Sequence, residues 1–315
     1  MPADLRARRR YTAAVLGERA APEPTAAEDP DPVVRGVITD VSRHVVCVAT
    51  SQGEERFLLD AATTLWCGRE ADRSALRVGD DALVRCRAGR WVAERIWLRI
   101  ARVTGVIAAR SGDTLEVDTG HTGGRRPVVI PYRSSGRIGV RHPVLEPGYL
   151  FDAIGVWEDG VVEAAVPATT QPPLAVWDAA PREVPAQAGN RVQGAVSWYD
   201  PAADAPEQAG LRGAAYPALD RDGDCGPECD RVRSCLPLPL LSLGTTVALR
   251  NECAEAAAVL PVLACASAAA HFCDSCADCG PGEQGRVAQL TLPSFVALGG
   301  RPEAGCFNAT LTVGW

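Results

Sequence analysis

Between residues 33 and 166 apolar and polar positions alternate. Val34, Gly36 and Ile38 form one such run; Leu115 and Val117, with Glu116 and Asp118 between and after them, form another. A period of two puts neighbouring side chains on opposite faces and predicts strands with one buried face. Ala88-Gly89-Arg90 and Ser111-Gly112-Asp113 break the pattern and read as turns. The pattern also recurs. Gly36-Val37-Ile38 returns 69 positions on as Gly105-Val106-Ile107, and the same shift carries Val46 and Val48 onto Leu115 and Val117, Gly79 onto Gly148, and Glu94 onto Glu163. One ungapped shift that aligns start, middle and end marks an internal repeat. Two tandem small antiparallel β-barrels, OB-like, are predicted over 33–100 and 101–166, with about five or six strands each.

The flanks read differently. Residues 1–32 are rich in Ala, Pro, Glu and Asp and predict a mobile tail with a short helix around 4–16. Residues 167–189 carry Pro167, Pro172, Pro173, Pro181 and Pro185 and read as a semi-extended linker, in which Trp177 is expected to dock on a neighbour. Residues 190–315 form the third unit. Its expected strands are 193–199, 246–250, 259–265, 289–292 and 309–313, with a long insertion-like loop at 200–235. The whole chain is expected to be all-β.

Composition narrows the function. Hydrophobic residues make up 47% and charged residues 23%, as in ordinary globular proteins. The 30 glycines and 24 prolines suit many short strands joined by turns. A net charge of −7 argues against nucleic acid as the main partner, because binding phosphates needs a basic surface. No apolar run approaches the ~18 residues of a membrane span. Arg6, Arg8, Arg9 and Arg10 resemble the start of a signal peptide, but the apolar stretch 11–17 is short and runs into Glu18 and Arg19, so no export signal is recognised. The 12 cysteines point the other way. Such density suggests disulfides and an oxidising compartment, hence an extracellular or cell-envelope location, with the cytoplasm as the alternative. In the two repeats, Trp66, Trp91, Trp97, Tyr132 and Trp157 read as core or rim packing, and no cluster of aromatic and arginine residues stands out.

The third unit carries the candidate chemistry. Gly194-Ala195-Val196-Ser197-Trp198-Tyr199 opens it, Leu241-Ser242-Leu243-Gly244-Thr245-Thr246-Val247-Ala248-Leu249-Arg250-Asn251 follows, and Asp278-Cys279-Gly280-Pro281 precedes Gly285-Arg286-Val287-Ala288-Gln289-Leu290-Thr291. In order and spacing these stretches resemble the rare-lipoprotein-A-like, expansin-type double-psi β-barrel family, whose pieces read roughly G-x-A-S-W-Y, L-P-x-G-T-x-V-x-V-x-N and D-R-G-P-x-x-x-G-R-x-x-D-L-S. The resemblance covers about the last 40% of the chain and implies a double-psi barrel there. It implies that Trp198 and Tyr199 lie near a sugar groove, either stacking on sugar rings or packing beneath them.

Members that cut peptidoglycan use the aspartate of D-R-G-P, helped by a histidine just before L-P-x-G-T. The aspartate matches Asp278, which a low-polarity setting turns into a proton donor. A lone acid suits a lytic transglycosylase, whereas hydrolysis usually takes two carboxylates. This chain has no histidine at 234–238, and the family's arginine and second aspartate are Cys279 and Gln289. The nearer precedent is the expansin-like members, which bind glycan without cutting it. Trp198, Tyr199, Asp278 and Gln289 are then the candidate substrate contacts, with Asp278 accepting from sugar hydroxyls or capping a turn.

Nine of the cysteines fall in this unit: Cys225, Cys229, Cys235, Cys253, Cys265, Cys273, Cys276, Cys279 and Cys306. All are disulfide candidates. Nine is odd, and a bond to Cys47, Cys67 or Cys86 of the first repeat is one way to even the count. The spacing of Cys273, Cys276 and Cys279, with His271 nearby, leaves a structural zinc as the alternative. Asp220, Asp222 and Asp224 begin like a calcium loop but lack its glycine and final glutamate, and read as a solvated acidic turn. No cofactor is otherwise expected. The readings are thus a non-catalytic protein that binds cell-wall glycan or a protein partner of the envelope, a lytic transglycosylase acting through Asp278, and an assembly-associated protein with a structural zinc.

Overall fold

The computed structural model describes residues 33–87, 91–120, 124–176, 190–203, 205–219, 234–277, 280 and 282–314. The tail with its expected helix, the turn at 88–90, Trp177, the acidic turn with Cys225 and Cys229, and Asp278 and Cys279 lie outside them. Among the described residues the chain is all-β, and each of three sheets uses one continuous stretch of it.

The first sheet contains β1 (Val33–Val41), β2 (Val45–Thr50), β3 (Gly53–Leu58), β4 (Thr64–Trp66), β5 (Glu70–Ala71), β6 (Asp81–Cys86) and β7 (Ala93–Leu98), in the order β3-β2-β1-β6-β7-β4-β5. A parallel bridge between Leu58 and Val92 brings the free edge of β3 back to β7 and curls the sheet around Ile38, Val46, Val48, Phe57, Val84 and Ile96. The second sheet contains β8 (Ile100–Ser111), β9 (Thr114–Asp118), β10 (Arg125–Val129), β11 (Leu150–Glu158) and β12 (Val161–Pro167), closed as β10-β12-β11-β8-β9. Helix α1 (Tyr132–Arg141) joins β10 to β11 and buries Ser134 and Ile138.

The repeat is visible in the pairings. Val37 pairs with Ala49 and Val106 with Asp118, and β1 and β8 carry the same bulge, after Ile38 and after Ile107. Gly36 and Gly105 explain their own recurrence: a Cβ on either would strike the carbonyl of the facing strand, at Ala49 and Asp118 respectively. Two details differ from the sequence reading. The shift of 69 holds for the first, second and fourth strands of each copy. The third and fifth move by two more, because the turns leading into them, between Asp118 and Arg125 and between Gly155 and Ala164, are each two residues longer than those between Ala49 and Glu54 and between Cys86 and Ala93. Cys86 faces Ala93 while Gly155 faces Ala164, so Glu94 corresponds to Ala165, not to Glu163. The barrels are also not wholly antiparallel: β10 and β12 run parallel. A closed ring with an odd number of strands needs at least one parallel pair, since alternating directions cannot close on themselves.

The third barrel contains β13 (Arg191–Tyr199), β14 (Ala214–Tyr216), β15 (Thr246–Asn251), β16 (Ala257–Cys265), β17 (Arg286–Thr291) and β18 (Cys306–Thr312), closed as β13-β17-β14-β16-β15-β18. β13 runs parallel to β17 and β14 parallel to β16; the other pairs are antiparallel. Exchanging β13–β15 with β16–β18 maps the set of six pairings onto itself, with β14–β17 and β15–β18 unchanged, so two like halves interlock, as in a double-psi barrel. The insertion-like loop thus contains a strand, β14, too short for its period to be read. Helix α2 (Ser267–Ala270) follows β16, and α3 (Leu292–Ala297) follows β17, every one of its side chains buried.

The first two units keep cores of their own, and one further apolar cluster joins all three. Val196, Trp198, Leu249, Val262, Leu290, Phe295 and Phe307 fill the third barrel, and Trp66, Leu83, Trp97, Ile100 and Ile154 of the first two pack onto them. Each large apolar side chain buried this way stabilises the assembly by roughly 1.5–3 kcal/mol. The start of the expected linker is packed as well. Gln171 donates to the Val144 and Leu150 carbonyls at 2.8 and 2.7 Å, and Val176 N donates to Gly148 O at 2.9 Å.

Candidate functional site

A cleft of about 280 Å³ opens between the second and third barrels. Strand β13 supplies one wall. Its alternation turns Trp198 inward and Tyr199 toward the cleft, and Asp200-Pro201 ends the strand at the rim, where a proline has no N–H to continue the ladder. Strand β17 runs parallel beside it, with Ser197 opposite Gln289 and Tyr199 opposite Thr291, so Gln289 joins Tyr199 in the cleft. The facing wall comes from β8 and β10, through Arg102, Thr104 and Arg126.

Each charged group here has a neighbour that fixes it. Arg102 is buried and grips Asp152 with Nε to Oδ1 at 2.9 Å and Nη2 to Oδ2 at 2.7 Å, while its Nη1 donates to Gly305 O of the third barrel at 2.7 Å. Thr104 adds a hydroxyl to Asp152 at 2.9 Å. Arg102 draws the Asp152 carboxyl below the usual range against the opposing effect of burial. The Arg126 guanidinium lies over the Trp157 ring, 5.2 Å from its centre. Asp200 binds Arg35 of the first barrel through both oxygens, and its Oδ1 also accepts from Ala202 N at 3.0 Å. Burial lifts the Tyr199 hydroxyl to about 12, so it stays a donor at neutral pH.

Tyr199 and Gln289, expected as sugar contacts, therefore share one cleft. Trp198 does not reach it. The ring is fully buried, its Nε1 donates to Pro302 O at 2.9 Å, and Arg102 lies across it at 5.7 Å. Of the two roles considered it takes the packing one, because the strand's alternation turns it into the barrel. The Gln289 amide donates to the Trp198 carbonyl at 3.2 Å and so ties the cleft floor to the core. Asp278 lies outside the described residues. Near it in sequence, Gly280 accepts from Asn308 at 3.2 Å and Gly282 lines a separate polar groove of about 400 Å³ with Gln193, Glu252, Glu283 and Asn308.

The cysteines form disulfides between Cys235 and Cys273 and between Cys276 and Cys306, and Cys253 and Cys265 are disulfide-bonded as well. Cys273 and Cys276 thus hold their sulfurs in covalent bonds and offer no thiolate to a metal, which removes two members of the zinc set; His271 ends α2 as its C-cap. Among the described residues no three His, Cys, Asp or Glu side chains are gathered as a metal site. The expected bond to the first repeat is not formed by Cys47 or Cys67, which keep free thiols, while Cys86 is buried in that unit's core. No described helix is long and apolar enough to cross a membrane.

Arg102, Arg126 and Asp200 were not legible as cleft residues. The two arginines sit on strands of another unit, and only the packing of barrel on barrel brings them to Tyr199. Compared with known proteins, the chain matches no family model and no curated sequence.

Proposed function

We propose that this chain is a non-catalytic binding protein of the cell envelope that holds a glycan strand in the cleft between its second and third barrels. One observation carries this reading: Tyr199 and Gln289, the residues that the resemblance to rare-lipoprotein-A-like and expansin-type barrels sets beside sugar, stand together in a cleft whose lining mixes Arg102, Arg126, Thr104 and Gln208 with alanine, leucine and proline side chains. A phenol face, an amide and fixed arginines suit a ring with many hydroxyls. The described carboxylate at the rim, Asp200, is engaged by Arg35 and poorly suited to donate a proton. Disulfides in the third barrel support an oxidising location.

The test is calorimetric titration of the full chain with soluble peptidoglycan strands. Binding is expected, with affinity falling about tenfold in Tyr199→Ala and in Gln289→Ala, the loss of one good contact of ~1.4 kcal/mol. Incubation with peptidoglycan is expected to release no anhydro-muropeptides. Release that disappears in Asp278→Asn would replace this reading with the lytic transglycosylase.

A further inference from the structure

We propose a binding site for a single buried water molecule at the edge of the second barrel's core, between the His142 imidazole and the Thr169 hydroxyl. Both residues are closed to solvent, at 0% (His142) and 3% (Thr169) exposure. His142 Nε2 accepts from Asp152 N at 3.2 Å, so its lone pair is in use and the ring proton of the neutral imidazole sits on Nδ1. Burial keeps the ring neutral down to about pH 4. Nδ1–H is therefore a donor, and it has no acceptor among the described residues. Thr169 Oγ1, which can both donate and accept, has no partner among them either. Buried polar groups in folded proteins are paired with protein or with ordered water, and one left unpaired forfeits its hydration for nothing.

Main-chain hydrogen bonds bring the two groups together. β11 and β12 pair with Ala153 opposite Pro167, and Ala168 N donates to Asp152 O at 3.0 Å, which carries the pairing one residue further. The same register sets Thr169 opposite Phe151. Facing residues on antiparallel strands turn their side chains to one face, roughly 4.5–5.5 Å apart at Cβ. The His142 ring lies against Phe151, with ring centres 5.1 Å apart. Past Thr169 the chain is tied again, by Gln171 N to Arg141 O at 2.9 Å. Thr169 is thus held between a bond to Asp152, whose N–H meets the histidine, and a bond to Arg141, which precedes it. The two unpaired atoms converge beside one phenyl ring.

The chemistry selects the occupant. It must accept from Nδ1–H and exchange a hydrogen bond with a hydroxyl, out of reach of solvent. Water does both, and two polar partners suffice to hold a buried one. A metal ion finds no lone pair on a protonated Nδ1, and a neutral ring gives an anion no charge to pair with. The role of the water is positioning. Bound to Nδ1–H, it secures the tautomer in which Nε2 accepts from Asp152 N. Asp152 is then held at its N–H by His142, at its carbonyl by Ala168 and at its carboxylate by Arg102, which lines the interbarrel cleft. The water supports that wall from behind, whatever the cleft binds.

The experiment is NMR on the full chain with nitrogen-labelled histidine, the His142→Gln spectrum picking out His142 among the four histidines. At pH 7, long-range proton–nitrogen correlations are expected to show Nδ1 protonated and Nε2 bare. A nuclear Overhauser cross-peak is expected between Nδ1–H and water, with the sign of a bound molecule and not of proton exchange. Thr169→Val, which removes the hydroxyl at nearly constant shape, is expected to abolish that cross-peak and lower the melting temperature; Thr169→Ser is expected to keep it. A proton on Nε2, no water cross-peak in the unaltered chain, a cross-peak to the Thr169 side chain in its place, or a water cross-peak that survives Thr169→Val overturns the proposal. The unaltered chain and Thr169→Ser decide the outcome even where Thr169→Val does not fold. No glycan enters the measurement, so the result is independent of what the cleft binds.

Discussion

His142 illustrates how a single buried group sets a pH limit. It is fully buried against Phe151, ring centres 5.1 Å apart, and its Nε2 accepts from Asp152 N at 3.2 Å. Nδ1 is buried with no partner among the described residues. Burial pushes the imidazole down to about 4; Asp152 opposes this and Arg141 adds to it. The unfolded chain binds a proton below its ordinary value of 6.5, while the folded chain resists until about 4. Stability is therefore expected to be level above pH 6.5 and to fall on acidification across that window, by about 3 kcal/mol in all. Urea unfolding at a series of pH values checks this, and His142→Gln, which keeps an acceptor for Asp152 N, is expected to flatten the slope. Asp152 acts in a lower window: its depressed pKa contributes stability that fades only as pH drops below the usual carboxylate range. A lone histidine in a strand-rich chain announces none of this, because burial on every side comes from residues far apart in sequence.

The strands show what local pattern specifies. Alternation at Leu115 and Val117 fell on β9, since a half-buried strand writes its two faces into the sequence, and the strands expected at 193–199 and 246–250 coincide with β13 and β15 within two residues. The recurring glycines are legible too, and their reason is steric: β1 and β8 each cross a facing carbonyl with no room for a Cβ. Gly105→Ala is expected to destabilise the protein by about 2–3 kcal/mol, as overpacking does, whereas Gly112→Ala, at an open turn, is expected to cost less than half as much. Thermal unfolding of the two variants makes the comparison. Strand β14 escaped notice because three buried residues have no period. Parallel closure escaped notice because direction is a property of pairs, not of strands.

The units are joined by polar clamps around a shared apolar cluster. Arg35 of the first barrel holds Asp200 of the third and reaches Asp81 at 3.0 Å; Trp97 Nε1 donates to Glu303 at 2.6 Å, and Arg95 meets the same carboxylate at 2.7 Å. Arg102 binds Asp152 in its own barrel and Gly305 in the next. Removing one partner of a buried pair strands the other charge and costs about 3–5 kcal/mol. Asp152→Ala is accordingly expected to lower stability by that order and to split unfolding, with the second and third barrels melting separately in calorimetry; a single sharp transition would show that the apolar core alone couples them.

An all-β chain, a doubled unit and a cysteine-rich third unit were determined by the sequence, because alternation, recurrence and cysteine density are read along the chain. Which tryptophan faces water, which cysteines pair, and which arginines meet Tyr199 were decided by tertiary structure alone. Those outcomes depend on distances between residues tens to hundreds of positions apart. Only the closure of each barrel and the packing of one on another bring such residues within bonding range.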